Sequence, residues 1–60
     1  MKLYKVYAKR LQNNLGNETE LIGVYPAKCA SEAVSIAMCD YSNSGIYDLN
    51  TYFAMEEHNR

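Results

Sequence analysis

Two cysteines and one histidine, Cys29, Cys39 and His58, are the side chains of this 60-residue chain that could supply a thiolate nucleophile, an imidazole base or a soft-metal ligand. Their spacing argues against all three uses. The stretch between the cysteines reads as helix, so the ten positions separating them correspond to roughly 15 Å along an axis, too far for a disulfide. Structural zinc sites draw on closely spaced pairs of ligands, and no such pair occurs. His58 sits near the C-terminus, where preorganisation is hardest to achieve and fraying is expected. Cys29 follows Lys28 at the entry to the helix, where the positive end of the dipole would lower a thiol pKa; the ordinary alternative is a small buried residue.

The remaining polar groups form no constellation either. Glu56 and Glu57 are adjacent on a predicted strand and so point to opposite faces, which rules out a carboxylate pair. Gly16, Gly23 and Gly45 are scattered and make no phosphate loop. Without an acid, a base and a nucleophile that could meet, the chain reads as non-enzymatic, with no cofactor and no metal.

The elements that position these residues follow from hydrophobic periodicity. Lys2 to Leu11 alternates with period two and is rich in Tyr, Val and Leu, which predicts a first strand. Gln12 to Glu18 has loop composition and joins a hairpin. Thr19 to Ala27 predicts a second strand, with Ile22 and Val24 on one face and Leu21, Gly23 and Tyr25 on the other. Pro26 and Gly23 place this strand at a sheet edge. Ser31 reads as an N-cap with Glu32 in the first turn. Ala30, Ala33, Val34, Ala37, Met38 and Tyr41 then fall on one helical arc of about three turns, which Asn43-Ser44-Gly45 ends. Ile46 to Glu57 reads as a third strand, starting as late as Leu49, with Tyr47, Leu49, Thr51, Phe53 and Met55 on one face.

One domain is all that this length supports, and so short a chain buries only about 60% of its unfolded surface. The predicted fold class is α+β, ββαβ, a three-stranded antiparallel sheet of order 2-1-3 with one helix on one face. Tyr4, Val6, Ala8, Ile22, Val24, Leu49, Phe53 and Met55 are expected beneath the helix. One helix covers one face of a sheet, yet the strands carry large apolar side chains on both. The uncovered face is expected to hold Leu3, Lys5, Tyr7, Lys9, Leu21, Tyr25 and Tyr52, and to meet something outside the monomer.

Charge constrains the partner. Residues 1–28 hold Lys2, Lys5, Lys9, Arg10 and Lys28 against Glu18 and Glu20, five against two, or +3; residues 29–60 hold Arg60 against Glu32, Asp40, Asp48, Glu56 and Glu57, one against five, or -4. A basic first strand beside an acidic last strand would satisfy both halves internally. The expected function is protein binding through the open sheet face, since tyrosine supplies rigid contact area with a polar tip and the chain has six. A homodimer packed sheet on sheet is one form. An inhibitor or adaptor gripping a larger host protein is another, as among the small anti-defence proteins of phages and other mobile elements. The alternative is single-stranded nucleic acid stacked on Tyr7, Tyr25 and Tyr52 with Lys5, Lys9 and Arg10 on phosphates, which the net charge of -1 and the absence of an RNP-like motif disfavour. Free thiols and the absence of a leader or an apolar span of about 18 residues suggest the cytoplasm. The Asn17-Glu18-Thr19 sequon is then without consequence.

Overall fold

The computed structural model describes residues 1–11 and 19–57; the predicted loop 12–18 and the tail with His58 lie outside the described residues. Strand β1 (Lys2–Ala8) is central because neither Pro nor Gly interrupts it, so both of its edges can pair. Strands β2 (Glu20–Ala27) and β3 (Phe53–Glu56) flank it, each antiparallel to it, in the order β2-β1-β3. Helix α1 (Ala30–Cys39) packs on one face, giving the α+β, ββαβ-like arrangement expected from the periodicity. β1 ends at Ala8, three residues short of Leu11; beyond it Arg10 makes only an isolated bridge with Tyr47.

The register of β2 corrects three facings, those of Gly23, Val24 and Tyr25. Val6 pairs with Gly23 while Tyr7 pairs with Leu21, so Ile22 is an extra residue, a bulge in the edge strand. Directly opposed residues share a face, and one inserted residue reverses the facing of everything beyond it. Tyr25, opposite Tyr4, therefore lies on the helix side and packs against the core, whereas Val24, opposite Lys5, lies on the open side and is exposed. Ile22 itself stays packed against the core, as expected.

β3 is corrected in length and in facing. Only four residues are extended; Asp48 accepts a hydrogen bond from the Asn50 N–H and caps a short 3-10 turn at Leu49–Thr51. Ala54 opposes Val6 on the helix side, so Phe53 and Met55, opposite Tyr7 and Lys5, lie on the open side and not in the core. Leu49 is also exposed, and Tyr52, expected on the open face, packs against the core.

The helix starts before Ser31. Cys29 is the N-cap residue, in extended conformation and without a side-chain capping bond, and the Ala33 N–H donates to its carbonyl. Glu32 Oε1 instead accepts from the Lys28 N–H at 2.9 Å, closing the helix entry from the first turn. The end also comes early. Asp40 leaves the helix, and its carboxylate accepts from the Ser42 N–H and hydroxyl, a local turn that competes with further helix. Gly45, at φ 74°, serves the turn that follows.

The core is built of small residues. Ala27, Ala33 and Ala37 are fully buried against Val6 and Tyr4, so the helix approaches the sheet closely. Ala30 and Met38, expected on the buried arc, are exposed; the Tyr41 side chain lies outside what is described. A polar clamp closes one end. Asn43, itself buried, donates from Nδ2 to the Ala37 carbonyl at 2.9 Å and to the Tyr25 hydroxyl at 3.2 Å, and that hydroxyl donates to Asp40 Oδ2 at 3.1 Å.

Candidate protein-binding face

The face of the sheet away from α1 is built from three cross-strand rows. Leu21, Tyr7 and Phe53 form the first, Val24, Lys5 and Met55 the second, and Pro26 and Leu3 the third, where the Glu57 N–H donates to the Leu3 carbonyl at 2.8 Å. Pairing alone creates these rows, because opposed residues on adjacent strands share a face. The apolar members remain in water: Leu3 is 42% exposed, Leu21 50%, Val24 43%, Phe53 39% and Met55 58%. Tyr7 stacks on Phe53 with ring centroids 5.2 Å apart and planes inclined by 15°. Stacked aromatics surrounded by aliphatic groups make a surface that gains from being covered.

Four residues expected on this face are there together: Leu3, Lys5, Tyr7 and Leu21. Three are not. Tyr25 and Tyr52 turn to the core for the reasons given above, and burial raises the pKa of both hydroxyls, so they remain neutral donors. Lys9 lies past the end of β1, its N–H donating to Thr51 Oγ1 and its carbonyl accepting from the Asp48 N–H. The residues missed were Val24, Pro26, Phe53 and Met55. For Val24 and Pro26 a signal existed, since a glycine inside a strand often marks a bulge and Gly23 adjoins this one. For Phe53 and Met55 no local signal separates the two faces.

Lys5 sits at the centre of the middle row, half-buried, and among the described residues it has no ion pair. Of the other cations flanking the sheet, Lys2 and Arg10 are paired, while Lys9 and Lys28 make no ion pair among the described residues. Lys2 pairs with Glu56 at 3.5 Å, as a basic first strand beside an acidic last strand should. Arg10 grips Glu20 through Nε at 2.7 Å and its terminal nitrogen at 3.1 Å, and lies over the Tyr47 ring, whose hydroxyl donates to Glu20. The hydrogen bond from Arg10 holds the Glu20 carboxyl below its usual range.

The cysteines are free and exposed, which corrects the expectation of a buried Cys29. A hydrogen bond with the Ser31 hydroxyl, followed by the helix backbone N–H groups, lowers the Cys29 thiol pKa. No metal-binding group of three His, Cys, Asp or Glu occurs among the described residues, and none of their helices is long and apolar enough to cross a membrane. Compared with family models, with curated proteins and with solved structures, the chain shows no significant similarity to any.

Proposed function

We propose that this chain is a non-enzymatic protein-binding module whose open sheet face seats on another protein surface, as an inhibitor or adaptor does. The observation that supports this reading is the set of five large apolar side chains, each between 39% and 58% exposed, on one pleated face with a single charge in its middle. Complete burial of such a side chain contributes roughly 1.5–3 kcal/mol, so the portions still in water leave on the order of 5 kcal/mol for association. Association costs about 4–15 kcal/mol in lost freedom, so the partner must bring apolar surface of its own. A folded protein does so.

The test is retention of a partner from the native host by tagged protein. A partner held by the wild type should be lost with the double substitution Leu21→Thr and Met55→Thr, and kept with Ile36→Gln on the exposed side of the helix. Retention by all three would overturn the reading.

Single-stranded nucleic acid has one observation in its favour, the stacked Tyr7 and Phe53 beside Lys5. Against it, two of its three tyrosines, Tyr25 and Tyr52, pack on the core and one of its three cations, Arg10, is held by Glu20. Oligonucleotide binding that is strong at low salt and falls steeply as salt rises would reverse this ranking.

A further inference from the structure

Resting on that reading, we infer that the occupant of the open face is not a second copy of this chain but a different protein whose apolar surface presents an aspartate or glutamate to Lys5. The argument is one of symmetry and charge. Two identical sheets packed face to face are related by a two-fold axis lying between them, so each position on one face meets its mirror position on the other. Lys5 stands on the central strand in the central row. An axis along β1 sets Val24 over Met55 and Leu21 over Phe53, a good apolar match, but it also sets Lys5 over Lys5 of the other copy. An axis across the middle row does the same. Every arrangement that covers the apolar face squarely therefore encloses two like charges, a juxtaposition that costs interfaces several kcal/mol.

The acids among the described residues offer no escape. Glu20 is bound by Arg10 and Glu56 by Lys2, and both oppose helix-side residues, Ala8 and Tyr4. Glu57, beside Leu3 at one corner and with its Oε1 buried, is the remaining acid next to the face among the described residues. An axis that sets Lys5 over Glu57 of the other copy must run close to Leu3 and Met55, oblique to the strands. That axis carries the Leu21, Tyr7 and Phe53 row past the end of the opposing sheet and leaves it in water. Charge and apolar cover cannot both be satisfied by self-association. They can be by a surface with an acid where this one has a lysine, and the half-buried Lys5 then gains the partner it lacks.

Size agrees. A face of three strands and seven residues measures roughly 14 by 23 Å, which confines the contact to the smaller, weaker class of interfaces. In that class one uncompensated charge at the centre decides whether association occurs.

The chain itself supplies the probe, because Lys5→Glu converts its face into the acid-bearing apolar surface described. Wild type and the Lys5→Glu variant, each shown to be folded by circular dichroism, are examined separately and mixed, by sedimentation equilibrium and by 15N NMR titration. Each alone should be monomeric. The mixture should form a heterodimer at least tenfold tighter than either homodimer, with shifts centred on Leu3, Tyr7, Leu21 and Val24. A second variant, Lys5→Met, should self-associate at least tenfold more strongly than wild type, an arm that does not depend on the charge reversal.

Wild type that dimerises as tightly as the mixture overturns the inference; if Leu21→Thr with Met55→Thr then abolishes the dimer, binding through the open face still stands. A mixture that does not associate also overturns it, whatever Lys5→Met does, and the host-partner experiment then judges the face independently.

Discussion

The two faces of this sheet are made from the same three strands and solve opposite problems. The side beneath α1 sets the small residues Ala8, Ala27 and Ala54 beside Val6 directly under Ala33 and Ala37, with Ile22, Tyr25 and Tyr52 packed around that centre. Its largest buried group is Tyr4. The open side carries the bulky Leu3, Tyr7, Leu21, Phe53 and Met55. A chain of this length has one helix to spend on cover, and it lies over the side where side chains are short enough for backbone to approach. The bulky residues of the open side have no second helix over them and remain in water.

The largest effect that would break this contrast is a bulky residue on the covered side. Ala37→Leu has no room between helix and sheet and should destabilise by about 2–3 kcal/mol, lowering the thermal midpoint by roughly 10 °C or more. Thermal unfolding followed by circular dichroism checks it, and an unchanged midpoint would mean that the helix is not closely packed. Next in size is Asn43→Ala. Losing its amide removes one of the two donors to the Ala37 carbonyl, which keeps the Asp40 N–H, and the donor to the Tyr25 hydroxyl, a cost of about 1–2 kcal/mol in denaturant titration. Tyr25→Phe removes one hydroxyl of the same clamp and should cost about 1 kcal/mol; a null result would return Tyr25 to the open side.

The smallest stability effect belongs to the open side. Leu21→Thr and Met55→Thr should each shift stability by no more than about 0.5 kcal/mol while removing partner binding. A large loss of stability would show that these residues serve the fold.

Acid sharpens the contrast further. The Asp40 carboxyl is held below its usual range, first by the Ser42 N–H, then by the Ser42 and Tyr25 hydroxyls. A depressed folded pKa means stability that is present above the unfolded value of about 3.9 and lost as pH falls through the lower folded value. Asp40→Asn should therefore flatten the acid limb of the stability curve below about pH 4, with neutral-pH partner binding unaffected.

Much of the fold is legible in the chain. Period-two alternation around Tyr4 and Val6 marks β1, Pro26 and Gly23 mark an edge strand, and the alanine spacing at Ala33 and Ala37 marks the helix face. Composition and topology together imply an uncovered side. The membership of that side was only partly readable. Leu3, Lys5, Tyr7 and Leu21 follow from simple alternation. Tyr25 and Val24 exchange places because of Ile22, and Phe53 and Met55 change sides because Ala54, a small residue, takes the place against Val6.

The sequence by itself determines the inventory: which segments extend, which one coils, and that the apolar content exceeds what one helix can shield. These are local properties of side-chain branching, backbone freedom and periodicity. Only the tertiary structure decides the facing of each residue beyond the first irregularity. Strand facing is a matter of parity, and parity is set by pairing between segments distant in sequence, where one inserted residue reverses all that follow.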